Sequence, residues 1–187
     1  GNRMAAARRK LILIPFADLD DGLLPLRELA SDVAAVFGLD GAVAASLPIP
    51  AEAFDRRRHQ YSAAGLLTAA ARSRVAPMGP PTAVLLGITG LDLFAPRLNF
   101  VFGMADAGLA VAAISLHRLR PEFPGGDPDP RLFRQRVLKE AIHELGHIFE
   151  LAHCDRQDCI MHFSTSIQDT DRKGPGFCHP CTGRINL

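Results

Sequence analysis

His143-Glu-Leu-Gly-His-Ile-Phe-Glu-Leu-Ala-His-Cys154, HELGHIFELAHC, is the stretch on which the reading of this chain turns. Residues four apart on an α-helix lie one turn away on nearly the same face, so His143 and His147 can aim ring nitrogens at a single ion. Glu144 is rotated about 100° from His143. That position suits a carboxylate that works on water beside a metal and does not ligate the metal itself. A catalytic zinc usually takes three protein ligands and keeps one position open, and the candidate third is His153, six residues after His147. On a continued helix His153 would stand about 240° round the axis and about 9 Å further along, out of reach. The chain must therefore leave the helix between them. Glu150 occupies the place where such a motif normally has a glycine, which turns there cheaply because it accepts a positive φ. A glutamate held in that turn costs on the order of 1 kcal/mol, against on the order of 10 kcal/mol from zinc binding in a folded site. The site is expected to survive. Glu150 is itself a rival ligand, seven residues after His143, but a full turn too far along for an ion held between the two helical histidines.

Four cysteines, Cys154, Cys159, Cys178 and Cys181, all fall within the last 34 residues, and the rest of the chain has none. A disulfide framework would staple the whole fold, whereas a local C-x4-C and C-x-x-C pair suits one tetrahedral zinc. His179, inside CHPC, is a weaker alternative ligand to that second ion.

Upstream, Leu11–Ile14 reads as a buried strand and Leu23–Phe37 as an amphipathic helix closed by Gly38. Tyr61–Val75 reads as a second helix, with Arg56-Arg57-Arg58 as the solvated start of a helix. A turn at Pro77–Pro81 leads into the strand VLLGIT. NFVFG (99–103) and VAAISLHRL (111–119) read as two more strands, and residues 121–130, rich in proline and glycine, as a surface loop. Asp129 as N-cap and Pro130 at the first helical position then start a helix carrying Leu132, Phe133, Val137, Ala141, Ile142 and Leu145 inward. After His153 periodicity fails. Gly146 inside the helix points to close packing, against the sheet or the turn carrying Met161. His117 and His162 are candidates to reach the cleft; His59 and Tyr61 read as helix-surface and packing residues.

The chain has 187 residues, 48% hydrophobic and 22% charged, with a formal charge of +1. That is the size of one domain, and the near-neutral charge gives no field to draw in nucleic acid. GNRM reads as a short remnant before Met4, LILIPF is too short for a secretory signal, and no apolar run spans a bilayer. The expectation is a cytoplasmic monomer acting on a peptide or protein, with neither nucleic acid nor membrane as partner.

HExxHxxxxxHC, followed by C-x4-C, C-I-M and C-x-x-C, resembles the archaemetzincins, a branch of the metzincin zinc peptidases. RHQYSAAGLL, GITGLDLF, LNFVFGMA and ISLHRL are similar to that family's upstream segments, in its order. The resemblance implies an α+β, zincin/metzincin-like fold: a twisted mixed β-sheet with backing helices and an active-site helix, plus a small irregular zinc-stapled C-terminal lobe. Residues 1–187 would form a single metallopeptidase domain, with an upper lobe of 1–153 and a lower lobe of 154–187. By position it implies His143, His147 and His153 as catalytic zinc ligands, Glu144 as general base, and Met161 beneath the metal. Cys154, Cys159, Cys178 and Cys181 would hold a second, structural zinc. Strand 111–119 would be the sheet edge along which an extended substrate adds. The implied reaction is peptide-bond hydrolysis by a zinc-bound water. The alternative is a catalytically inert zinc-binding protein whose four-cysteine module serves as an interaction platform.

Overall fold

The computed structural model describes residues 9–20, 22, 24–74 and 83–185. The GNRM start, Leu23, Val75 and the Pro77–Pro81 turn lie outside them. Strand β1 (Lys10–Pro15) is apolar on both faces because both are covered. Leu11 and Leu13 enter one buried cluster and Ile12 and Ile14 another, as the two-residue period of a strand requires. β5 (Val84–Thr89) and β8 (Val111–Ser115) divide in the same way, Val84, Leu86, Ala112 and Ile114 to the first cluster, Leu85, Val111 and Ala113 to the second.

With β2 (Asp40–Val43) and β7 (Gly103–Asp106) these strands form a five-stranded sheet in the order β2-β1-β5-β8-β7. All neighbours run parallel except the last pair, β7 and β8, which is antiparallel. Helices α1 (Leu26–Val36) and α3 (Pro130–Ile148) supply the first cluster's other wall, and α2 (Ala63–Arg72) the second's. A small sheet of β3 (Phe54–Asp55), β4 (Gln60–Ser62) and β6 (Leu93–Phe94) lies apart from these five strands.

Several expectations need correction. The first helix starts at Leu26, because Pro25 stands at its N-cap. Arg56, Arg57 and Arg58 do not start a helix; they turn the β3–β4 hairpin, where Asp55 Oδ1 accepts from the amides of Arg57 and Arg58 at 2.9 and 3.1 Å. His59 lies in the same turn with φ 52°, not on a helix surface. The second helix begins at Ala63, since Gln60–Ser62 is spent on the small sheet and Ser62 accepts from Gly65 N as N-cap. NFVFG is not the ladder strand. Val101 bridges to Leu93 of the small sheet, and the regular pairing starts only at Gly103. The run from Val111 leaves the strand after Ser115. It is not the sheet edge either: the chain doubles back at residues 107–110 so that β7 covers β8 and takes the edge.

Beyond His153 the chain holds two short helices that no periodicity announces. α4 (Ile167–Arg172) is started by a capping box of Ser166 and Asp169, and α5 spans His179–Thr182. Cys159, Ile160, Met161 and Cys181 join the first buried cluster beneath α3. No helix among the described residues is long and apolar enough to cross a membrane.

Candidate metal centre

Helix α3 positions the site, and its start follows the sequence: Asp129 Oδ1 accepts from Leu132 N at 2.9 Å and Pro130 takes the first turn. Its end is a Schellman turn. Leu151 N donates to Gly146 O at 3.0 Å and Glu150 N to His147 O at 3.0 Å, with Glu150 in the left-handed region at φ 66°. The glutamate thus adopts the conformation that a glycine would take more cheaply. That turn redirects the chain so that His153 comes back to the helical pair.

The three rings then converge. His147 Nε2 lies 3.2 Å from both His143 Nε2 and His153 Nε2. His143 Nδ1 and His147 Nδ1 donate to the carbonyls of Ile160 and Leu151, each at 2.8 Å, which leaves both Nε2 lone pairs facing inward. Burial holds all three rings below the usual imidazole pKa, that of His143 down to about 2 with Lys173's charge as the second cause. Neutral rings with converging lone pairs repel unless a cation lies between them. Zinc fits, because Zn–N bonds of about 2.0–2.1 Å in a tetrahedron set nitrogens about 3.3 Å apart.

Glu144 sits beside the triad, only 5% exposed. Gly103 of β7 faces it so closely that a Cβ there would fall 2.7 Å from Glu144 Cγ. Glu140, one turn earlier, hydrogen-bonds to Glu144, and Lys173, 3% exposed, faces both. Burial, and then the neighbouring Glu140, raise the Glu144 pKa well above the carboxylate range. Sequence reasoning missed Glu140 and Lys173. The spacing of four between Glu140 and Glu144 was the only signal, and nothing in the chain announced that Lys173 folds back beneath them.

Met161 is fully buried under the triad. Its turn is tied to the histidine and cysteine clusters on both sides, since Ile160 O accepts from His143 and Met161 O from Cys154 N at 2.9 Å. A Cβ on Gly146 would run into Met161 Sδ, so the glycine is what lets helix and turn touch. His162 Nδ1 instead bonds Cys154 O at 2.9 Å, and the His117 ring lies tilted against Phe123 with centroids 5.0 Å apart. Neither is among the residues lining the cleft. Glu150 is exposed and stands outside the histidine group.

The cysteines form a second cluster. Cys154 and Cys178 Sγ are 3.8 Å apart, as are Cys159 and Cys181, and all four sulfurs lie within 4.8 Å of one another. That spacing is too long for disulfides. It matches the edge of about 3.8 Å that Zn–S bonds of about 2.3 Å generate in a tetrahedron. A backbone hydrogen bond from Cys181 draws the Cys178 thiol down to about 7, toward the thiolate that ligation needs. His179 does not join this group.

A cleft of about 380 Å³ is lined by the three histidines and Glu144, by residues 98–105, and by Phe163, Ser164 and Thr165. A mixed sheet whose edge strand lies over a helix bearing HExxH, with a third histidine delivered by a sharp turn, defines a zincin-type metallopeptidase. The profile of Peptidase family M54 matches residues 78–187. An archaemetzincin of Pyrococcus furiosus is 41% identical over 181 residues, covering 95% of this chain and 93% of its own. A crystal structure of a zinc-dependent peptidase from Methanocorpusculum labreanum superposes with a TM-score of 0.82 at 31% identity, covering 94% of this chain and 100% of that one. The archaemetzincin of Archaeoglobus fulgidus, solved in complex with malonate, gives 0.77 at 35% identity, over 94% and 99%. The chain belongs to peptidase family M54, the archaemetzincins, and is a zinc metallopeptidase.

Proposed function

We propose that His143, His147 and His153 hold a catalytic zinc, that Glu144 is the general base, and that Cys154, Cys159, Cys178 and Cys181 hold a second, structural zinc. The observation that carries this reading is the approach of His143 Nε2 and His153 Nε2 each to 3.2 Å from His147 Nε2, with two of the rings pinned by backbone carbonyls. When bound, the catalytic zinc supplies a Lewis acid that acidifies a water and polarises the scissile carbonyl.

The chain's own residues do the rest. Ser115 N donates to Phe102 O at 2.7 Å, so the antiparallel alternation turns the N–H and C=O of Gly103 and Ala105 away from β8, over the cleft. An extended peptide adds there as a further strand. Glu144 takes a proton from the attacking water at its carboxylate and hands it to the departing amide nitrogen. It must be unprotonated to do so, and Lys173's charge works toward that state against burial and Glu140, which on balance raise the Glu144 pKa. Four thiols grouped for a metal and not paired as disulfides favour a reducing compartment, hence the cytoplasm. The continuity of the buried cluster from the sheet to Cys159, Ile160 and Met161 favours one domain, with 154–187 as its lower lobe. The test is Glu144→Ala: zinc content by elemental analysis unchanged, and cleavage of a peptide library abolished. Persistent cleavage removes Glu144 from the role.

A further inference from the structure

We propose that Arg58 and Gln60, on the β3–β4 hairpin, are positioning residues for the substrate: they hold the irregular segment 98–102 of the cleft wall in the shape that receives a peptide running past β7. The inference rests on the zinc site and peptide path proposed above, and it adds to them two residues that do not line the cleft. β7 offers ladder hydrogen bonds to a peptide only from Gly103 on, whereas the cleft lining already includes Leu98. Residues 95–100 belong to no strand, and Val101 makes an isolated bridge to Leu93. That stretch of wall has no ladder of its own to fix it.

Two side chains fix it instead. Arg58 Nη1 donates to Leu98 O at 3.0 Å and Gln60 Nε2 to Asn99 O at 2.9 Å, so consecutive carbonyls of the wall are tied to alternate residues of one hairpin. The Arg58 guanidinium also lies 4.6 Å over the Phe94 ring, which steadies its direction. Gln60 is 6% exposed, and its amide has two N–H groups to place. The second goes to Asp92 Oδ2 at 2.9 Å. Asp92 in turn takes both prongs of Arg118 at 2.8 Å, and its carbonyl accepts from Tyr61 N at 2.9 Å. Arg118 closes the brace from beyond the end of β8, its guanidinium 4.3 Å from the Phe100 ring of the wall. The β3–β4 and β4–β6 ladders are two residue pairs each, marginal on their own, so the side-chain network sets the geometry. Removing the Gln60 amide leaves Asn99 O and an Asp92 oxygen short of a donor together.

The test uses the full chain loaded with zinc and two probes measured by calorimetry: acetohydroxamate, which reaches little beyond the metal, and a capped tetrapeptide hydroxamate long enough to lie along 98–102. Affinity for the tetrapeptide probe is expected to fall about 10-fold in Gln60→Ala and several-fold in Arg58→Ala, with acetohydroxamate affinity and zinc content as in wild type. Arg58→Lys keeps a donor for Leu98 O and is expected to recover most of the loss. Gln60→Glu sets an acceptor against two acceptors and is expected to lose at least as much as Gln60→Ala. Tetrapeptide affinity unchanged in both alanine variants, or a loss shared equally by acetohydroxamate, overturns the inference. Arg58 is exposed, so Arg58→Ala decides the matter where a Gln60 variant fails to fold. If neither probe binds the wild-type chain, the zinc-site reading fails and the positioning role falls with it. A loss confined to the longer probe, in a chain that cleaves no peptide library, supports the positioning role and contradicts the hydrolytic mechanism proposed above.

Discussion

Glu150→Gly is expected to stabilise this protein, although it removes a side chain from a motif that borders the metal centre. Glu150 is held at φ 66° by the two hydrogen bonds of the Schellman turn, so its Cβ sits against the backbone in the left-handed region. That conformation costs an L-residue about 1–2 kcal/mol. Glycine relieves it but makes the unfolded chain freer, which takes back about 0.4–1 kcal/mol. The net gain is about 0.5–1 kcal/mol, or about 1–4 °C in Tm for a chain of this size. Glu150→Ala is the control: it removes the exposed carboxylate and keeps the Cβ, so it should stay within about 0.5 kcal/mol of wild type. The assay is equilibrium denaturation at fixed, saturating zinc, because metal binding shifts apparent stability by mass action. Zinc content should not change in either variant. If glycine is no more stable than alanine, the turn stores no strain and the account of how the chain leaves α3 is wrong.

Gly146→Ala should destabilise by up to about 2 kcal/mol: helix propensity favours alanine by about 1 kcal/mol, but pressing the new methyl against the buried Met161 sulfur costs about 1–3 kcal/mol, and equilibrium denaturation reads the balance. Thr170→Val should be neutral or stabilising by up to about 1 kcal/mol, since Thr170 is fully buried and its Oγ1 has no hydrogen-bond partner among the described residues; a loss above 1 kcal/mol would show that the hydroxyl is satisfied. Burial tends to raise the Asp92 pKa, but hydrogen bonds from Arg118 and Gln60 outweigh it and leave it below the usual value. A depressed folded pKa means stability that is present above the unfolded value near about 4 and lost as pH falls through the folded one. Asp92→Asn should therefore cost about 2 kcal/mol at pH 7, a gap that closes as pH falls below about 4 in urea titrations.

How much of this was legible depends on how local each signal is. Helix α3 could be read because cap, first-turn proline and apolar period all lie within its own residues, and the need for a turn before His153 follows from helix geometry alone. β1 could be read because a strand covered on both faces has no polar position to confuse it. The β3–β4 hairpin could not. FDRRRHQY carries charge where two-residue strands are too short to show alternation, and β4 finds its partner Leu93 some thirty residues away. The edge position of β7 was hidden for a related reason, since GMAD has no marked β-propensity and its place depends on doubling back over β8. The candidate metal ligands were legible as a pattern of types and spacings. The charges around Glu144 were not, because Lys173 reaches that pocket only after α4 has folded against α3.

Zinc per chain by elemental analysis, measured on wild type, His147→Ala and Cys181→Ser after dialysis against a weak chelator, bears most directly on the central claim. The account predicts two in wild type and one in each variant, the cysteine variant retaining the histidine site. One zinc in wild type, unchanged in His147→Ala, would contradict it, for the histidine cluster would then hold no stable metal.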